Sequence, residues 1–304
     1  MNVAPSHSKS QAWLEFLIER AIQIAGISAI VLVALIFFFL IREGAPAFTT
    51  VPLTSLLVTR WYPIEGYYGL LPLVLGSLIV TVGAAIFALP LGLMTAIFVG
   101  EIAPSWVRDI LKPFIEVLAG IPSVVIGFIG MVALSPLIRV ALDIPTGLTA
   151  FTGALLLAWM ALPTIVSVAE DALDAVPATY RDAGLALGMT RWQVIWKIVV
   201  PAARTGVLTA LMLGVGRAIG ETMTVMMVTG NAPRLALTPR DLFLPVRTMT
   251  ATIAAEMGEV AQGSQHYFVL FAVGLTLFVI TFIVNMAAAA VVFRQVKRAE
   301  RVLS

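Results

Sequence analysis

The sequence predicts an all-α integral membrane protein with six transmembrane helices, and three observations carry that prediction. Of its 304 residues 60% are hydrophobic and only 12% charged, against a charged share of roughly 25% in ordinary soluble domains. Six apolar runs, at about 21–41, 73–99, 114–138, 148–170, 205–229 and 267–293, have the roughly 20 residues a helix needs to cross a bilayer core about 30 Å thick. The cations fall mostly on one side of those runs, as the positive-inside rule requires.

In chain order, residues 1–20 form a mixed N-terminal tail, and the first run is too long for the core of a signal peptide, so it reads as an uncleaved anchor. The third and fourth runs contain the similar stretches IPSVVIG (121–127) and LPTIVSV (162–168), whose prolines predict bent or broken helices. In the loop 230–266, TMTATIAAEMGEVAQG carries Glu256 and Glu259 on an alanine-rich helical stretch. It reads as a solvated amphipathic connector or, alternatively, as part of a gate. After the sixth run, 294–304 is a short charged tail, so 21–293 is a single membrane domain.

With both termini on one side, twelve of the 19 lysines and arginines lie on that side, six on the other, and Arg217 falls within the fifth run. The bias places both termini in the cytoplasm. The outer loops are then 42–72, 139–147 and 230–266, and the longer inner loop is 176–203.

Several chemistries have no support. There is no cysteine, and the two histidines, His7 and His266, have no histidine partner at helical spacing, so no metal site is expected. None of the four lysines stands in the G-x-x-x-x-G-K-[ST] context of a nucleotide-binding loop. Glu116, Glu170 and Asp171 near run ends form no convergent catalytic constellation, so no enzyme and no cofactor is expected.

The inner segment VPATYRDAGLALGMTRWQVIWKIVVPAA (176–203) predicts two short helices joined at Gly188, the second ending against Pro201. Apolar residues on so short a loop suit either a helix laid into a partner's groove or one resting on lipid headgroups. In the fifth run, LGVGRAIGETMTV (213–225) places Arg217 and Glu221 four residues apart, on one face of a continuous helix. An arginine at mid-membrane costs about 2.5–3.5 kcal/mol and is ordinarily turned inward. The two side chains are either a self-neutralising ion pair or pathway residues. The arginine-first order is the less favourable one for a pair. Gly214, Gly216 and Gly220 bracket the arginine, and Gly216-x-x-x-Gly220 suits close approach of another backbone.

Asp182, Ala183 and Gly184, then Gly188, then Ile198, Val200 and Pro201 resemble the Glu-Ala-Ala loop of permease subunits of bacterial ABC importers. The resemblance implies the type I importer permease fold and a coupling helix, with Tyr180 and Arg181 included, that docks on a separate ATPase subunit. Asp182 replaces the family's glutamate. Gly184 replaces the second alanine at a cost of about 1 kcal/mol in a helix, and coupling is expected to survive both changes. The run GRAIGETMTV further resembles phosphate-specific import permeases, in particular their C-type subunit. So do EGYYGLLPLVLGSLIVT (65–81), LPLGLMTAIFVGEIAP (89–104), VTGNAPRL (228–235) and LFVITFIVN (277–285). This resemblance implies phosphate as substrate, with Arg217 and Glu221 in its path. The implied partners are a homologous A-type permease, an ATPase dimer, a periplasmic phosphate-binding protein and the lipid of a bacterial inner membrane; no nucleic acid is implied. Guanidinium matches phosphate oxygens, and the Glu221 carboxylate could accept from a phosphate hydroxyl that sulfate lacks. The alternatives are a permease for sulfate, molybdate or another oxyanion, and an anion transporter or channel that works without ATP.

Overall fold

The first apolar run is longer than its hydropathy suggests, because the residues before it are good helix formers free of proline and glycine. In the computed structural model, which describes residues 9–303, helix α1 spans Lys9–Gly44. His7 and the rest of residues 1–8 lie outside the described residues. Two short helices, α2 (Ala47–Thr50) and α3 (Leu53–Leu56), lead into a small antiparallel hairpin of β1 (Trp61–Tyr62) and β2 (Tyr67–Tyr68). Helix α4 (Leu71–Ile97) follows and widens into a π-turn at Phe98–Ile102.

The expected third run, 114–138, is not one helix. Helix α5 (Ser105–Ala119) stops short of Pro122, and α6 (Ser123–Ile129) continues through a π-turn, Gly130–Leu134, into α7 (Ser135–Ala141). Proline supplies no N–H and steers Ile121 away from helical backbone, so the chain breaks there. Pro163 behaves differently: α8 (Ala150–Asp174) runs unbroken through it, packed against α4. The proline of LPTIVSV therefore interrupts no element.

The segment 176–203 folds as the sequence indicates, into α9 (Ala178–Ala186) and α10 (Arg191–Val194), then a π-turn at Ile195–Val199 and α11 (Val200–Ala202). Gly188, at φ +80°, joins the two halves. Its N–H donates to Leu185 O and that of Met189 to Gly184 O, the paired bonds that end a helix on a left-handed glycine. Thr190 and Gln193 start the second half with a reciprocal capping box. Pro201 lies inside α11, and the chain turns through 74° before the next helix.

The expected fifth run, 205–229, is also divided. Helix α12 (Arg204–Gly220) ends where Glu221 takes an extended backbone (ψ 131°), and α13 (Met223–Val228) restarts beyond it. Helix α14 (Met249–Glu256) is no solvated connector, since Met249, Thr250, Ala251 and Thr252 are buried. Helix α15 (Gln265–Leu303) carries on into the expected tail, as far as Leu303. Among the described residues five helices are long and apolar enough to cross a membrane, and α12 with the stretch before it makes a sixth if that bent pair is one span.

Helix α4 packs most extensively on α8, and α12 lies along α8. The shared core of these helices includes Val80, Ala84, Leu157, Ala161, Ile165 and Ala218. Helix α1 touches little beyond α15, against which Phe37 stacks on Phe278 with centroids 4.9 Å apart. Gly214 allows the tight contact of α12 with α8, because a Cβ there would lie 2.3 Å from Ile165 Cγ1. Gly214→Ala is therefore expected to lower the thermal midpoint of the detergent-solubilised protein, overpacking costing about 1–3 kcal/mol. Gly26→Ala, whose added Cβ meets nothing within 4 Å, should leave the midpoint unchanged or raise it.

Candidate functional site

Arg217 and Glu221 do not share a helix face. Because α12 ends at Gly220, the i, i+4 geometry is lost, and no ion pair joins the two side chains among the described residues. Arg217 Nη1 instead donates to Thr164 Oγ1 on α8 at 3.1 Å. Glu221 Oε1 accepts from the backbone N–H groups of Thr222 (3.1 Å) and Thr224 (3.3 Å), filling the start of α13. Those donors have no intrahelical partner at a helix start, so the carboxylate substitutes for the missing turn. Both side chains are half-buried.

Of the three glycines that bracket Arg217, one makes a close approach within the chain. Gly214 carries the tight contact, whereas a Cβ on Gly220 would meet nothing within 4 Å and one on Gly216 would meet only Asn285 Oδ1, at 3.9 Å. Around the break the structure gathers hydroxyls that composition alone did not mark. Thr224 Oγ1 donates to Ser123 O at 2.9 Å, and Thr250 Oγ1 donates to Glu221 O at 3.0 Å. A small cavity beside Glu221 is lined by Ser77, Thr81, Thr248 and Thr250 as well. The alternating threonines of TMTAT (248–252) were the signal in the sequence.

On the segment 176–203, Tyr180, Asp182, Ala183, Gly188 and Pro201 are exposed, Ile198 is half-buried and Gly184 is buried. Gly184 does not weaken the segment: a Cβ there would lie 2.6 Å from Ile198 Cδ1 and 3.0 Å from Val194 Cγ2, so the missing side chain seats the second half on the first. The surface gains two residues absent from the expected set, Trp192 and Trp196, whose rings lie 6.4 Å apart and stand largely exposed. Their i, i+4 spacing was visible in RWQVIWK.

Arg181 faces the protein instead of that surface. Its Nη2 reaches Glu101 Oε1 at 2.5 Å and Leu173 O at 2.9 Å, and its Nη1 donates to Val176 O. Hydrogen bonding to Glu101 raises its pKa above the usual arginine value, so it is a fixed cation. Glu101 sits in the π-turn that follows α4 and is 8% exposed, so Arg181 ties α9 to both α4 and the end of α8. Nearby, Lys112 brings together the carboxylates of Glu170 (2.7 Å) and Asp171 (3.3 Å), which did not converge in the sequence. No group of three or more metal-ligating side chains is assembled among the described residues.

Comparison with known proteins gives a consistent picture. Residues 88–297 match the family described as binding-protein-dependent transport system inner membrane component. A probable ABC transporter permease protein, YqgH of Bacillus subtilis, is 42% identical over 76% of this chain and 75% of its own length. The phosphate transport system permease protein PstC of Pasteurella multocida is 34% identical over 95% of this chain and 94% of its own. Among solved structures, a chain of a bacterial alginate ABC transporter aligns with a TM-score of 0.62 at 14% identity, covering 91% of this chain and 95% of that one. A chain of the inward-facing MetNI methionine ABC transporter aligns at 0.60 and 17%, covering 77% and 99%. These two likenesses show the fold, that of a type I ABC importer permease.

The Arg181–Glu101 pair generates a stability prediction. Arg181→Gln leaves the buried Glu101 carboxylate without its cation and is expected to cost about 3–5 kcal/mol. Glu101→Gln leaves Arg181 its two carbonyl partners and should cost less. Thermal unfolding of the two variants in one detergent checks the order.

Proposed function

Because this chain belongs to the family of binding-protein-dependent transport system inner membrane components, we propose that it forms one half of the translocation pathway of an ATP-driven phosphate importer. The observation that carries the reading is the break at Gly220–Thr222. It separates Arg217 from Glu221 within an apolar segment and leaves the guanidinium with a single hydrogen bond among the described residues, to Thr164. A buried structural pair would use the two charges on each other. Here Arg217 keeps donors for a substrate, and guanidinium presents them in the planar fork that suits phosphate oxygens. Glu221 Oε2 accepts no hydrogen bond among the described residues and is the acceptor for a phosphate hydroxyl.

The relatives named as phosphate transport permeases support phosphate as the substrate. In this reading a homologous permease forms the other half of the pathway and a periplasmic phosphate-binding protein delivers the anion. Two ATPase subunits grip the exposed face of 176–203, where Tyr180, Asp182, Trp192 and Trp196 are presented. Both termini and that segment lie in the cytoplasm, as the distribution of lysine and arginine supports. Nucleotide chemistry belongs to the partner chains. Closure of the ATPases moves 176–203, and the spans alternate between outward and inward access.

The test is ATP-driven uptake of labelled phosphate into proteoliposomes that hold the whole complex with its binding protein, with excess sulfate as competitor. Arg217→Gln at equal assembly should lower uptake by about 30-fold or more, the rate equivalent of roughly 2 kcal/mol for lost charge-assisted hydrogen bonds. Unchanged uptake would return Arg217 to a structural role, and no phosphate uptake by the parent would remove phosphate as substrate. Glu221→Gln should reduce the preference for phosphate over sulfate. A preference equal to the parent's would dismiss the carboxylate as the discriminating group.

A further inference from the structure

Glu256, at the far end of α14, collects contacts from three other parts of the chain. Its Oε1 accepts from Trp61 Nε1 in the hairpin (3.1 Å) and is ion-paired with Arg247 Nη2, just before α14, at 2.6 Å. Its Oε2 lies 2.8 Å from His266 Nε2 at the start of α15. Trp61 is buried, and its ring stands edge-on to both Tyr68 and His266. Arg247 Nε is buried without a partner, so Glu256 is the one ion-pair partner this arginine has among the described residues.

At the near end of α14, Thr250 Oγ1 donates to Glu221 O at 3.0 Å, and Ser77 Oγ of α4 accepts from Met249 N at 2.9 Å. Thr250 and Glu256 are six residues apart, about 9 Å along a helix. A helix of eight residues has little stability of its own, so its position is set by what grips its ends. The hub grips one end, and Glu221 rests on the other.

We propose that Glu256 is a positioning residue for transport: by clamping α14 to the hairpin and α15, it holds Thr250 on the Glu221 carbonyl and so fixes the break beside Arg217. The proposal rests on the reading of Glu221 as a pathway residue. It gives the hairpin and the segment before α15 a mechanical connection to the pathway, so a partner that moves the hairpin moves Glu221.

A double-mutant cycle in the reconstituted complex tests this, with phosphate uptake read as maximal rate and as the half-saturating concentration of the binding protein. Glu256→Gln and Thr250→Val should each lower the maximal rate about tenfold with half-saturation unchanged, and the double variant should be no slower than the worse single one. Thr250→Ser, which restores the hydroxyl, should recover the rate. A parent-like rate in Glu256→Gln at equal assembly would overturn the proposal, and so would multiplicative losses, because separate structural roles add in free energy. Should Glu256→Gln fail to assemble, His266→Gln with Thr250→Val runs the same cycle through a milder change to the hub. Parent complex that takes up no phosphate, or an Arg217→Gln variant that is unimpaired, would count against the pathway reading instead.

Discussion

The structure turns on how an apolar chain satisfies its backbone where a helix stops. Within hydrocarbon each unpaired N–H or C=O costs several kcal/mol, so a break survives only where protein groups take up the freed atoms. At Glu221 one side-chain oxygen and the backbone carbonyl are both used this way. Its side chain accepts from the N–H groups of Thr222 and Thr224, and its carbonyl accepts from Thr250. Thr224 in turn reaches Ser123 O, just past the other break at Pro122. The two interruptions face one another. Gly127 permits it, since a Cβ there would lie 3.0 Å from Thr224 Cα.

The same problem is solved with arginines at the other end of the helices. The π-turn after α4 loosens the carbonyl ladder, and Arg108 donates to Val99 O and Gly100 O. Helix α8 ends at Asp174, and Arg181 takes the carbonyls of Leu173 and Val176 while pairing with Glu101. Cations near helix C-termini are favoured by the unsatisfied carbonyls and by the helix dipole. Helix α9 is thereby fixed to α4 and α8 through its inward face, while its outward face stays open with Tyr180 and Asp182. One short helix thus separates anchoring from presentation by which way its side chains point.

Much of this was legible in the sequence where the signals are local. Apolar run length gave the helical membrane class, and Gly188 with the Thr190–Gln193 box gave the two-part segment at 176–203. The break at Gly220–Thr222 was not legible, because no proline marks it and a 3.6-residue period carries straight across. The contacts that stabilise it join Glu221 to Thr250, 29 residues apart, and Thr224 to Ser123, 101 residues apart. Thr164, 53 residues from Arg217, was invisible for the same reason. Helix propensity prices Gly184 in isolation, whereas in the fold Ile198 and Val194 fill the space its side chain would need, which the sequence did not show. Helix α14 was misjudged because its composition resembles a solvated connector, while Glu256 and the buried threonines dock it into the core.

The division between Arg217 and Glu221 has a mechanical meaning. Helix α12 begins directly after the 74° turn that follows 191–202 and ends within one turn of Arg217, so about 20 Å of helix connects that segment to Arg217. Along this length α12 is locked to α8 by two close approaches: Gly214 on Ile165, and Gly206, where a Cβ would lie 2.4 Å from Ala172 Cβ. Thr164, the partner of Arg217, lies on α8. Arg217, Thr164 and the 191–202 stretch therefore belong to one packed body. Glu221 caps α13 and is held by α14, on the far side of the break. Displacement of α12 relative to α13 changes the separation of the two charges directly, which a continuous helix carrying both would forbid. An intact helix would have been cheaper to fold. In the proposed transport reading, the interruption lets force arriving at one end of α12 alter the chemistry presented at the other.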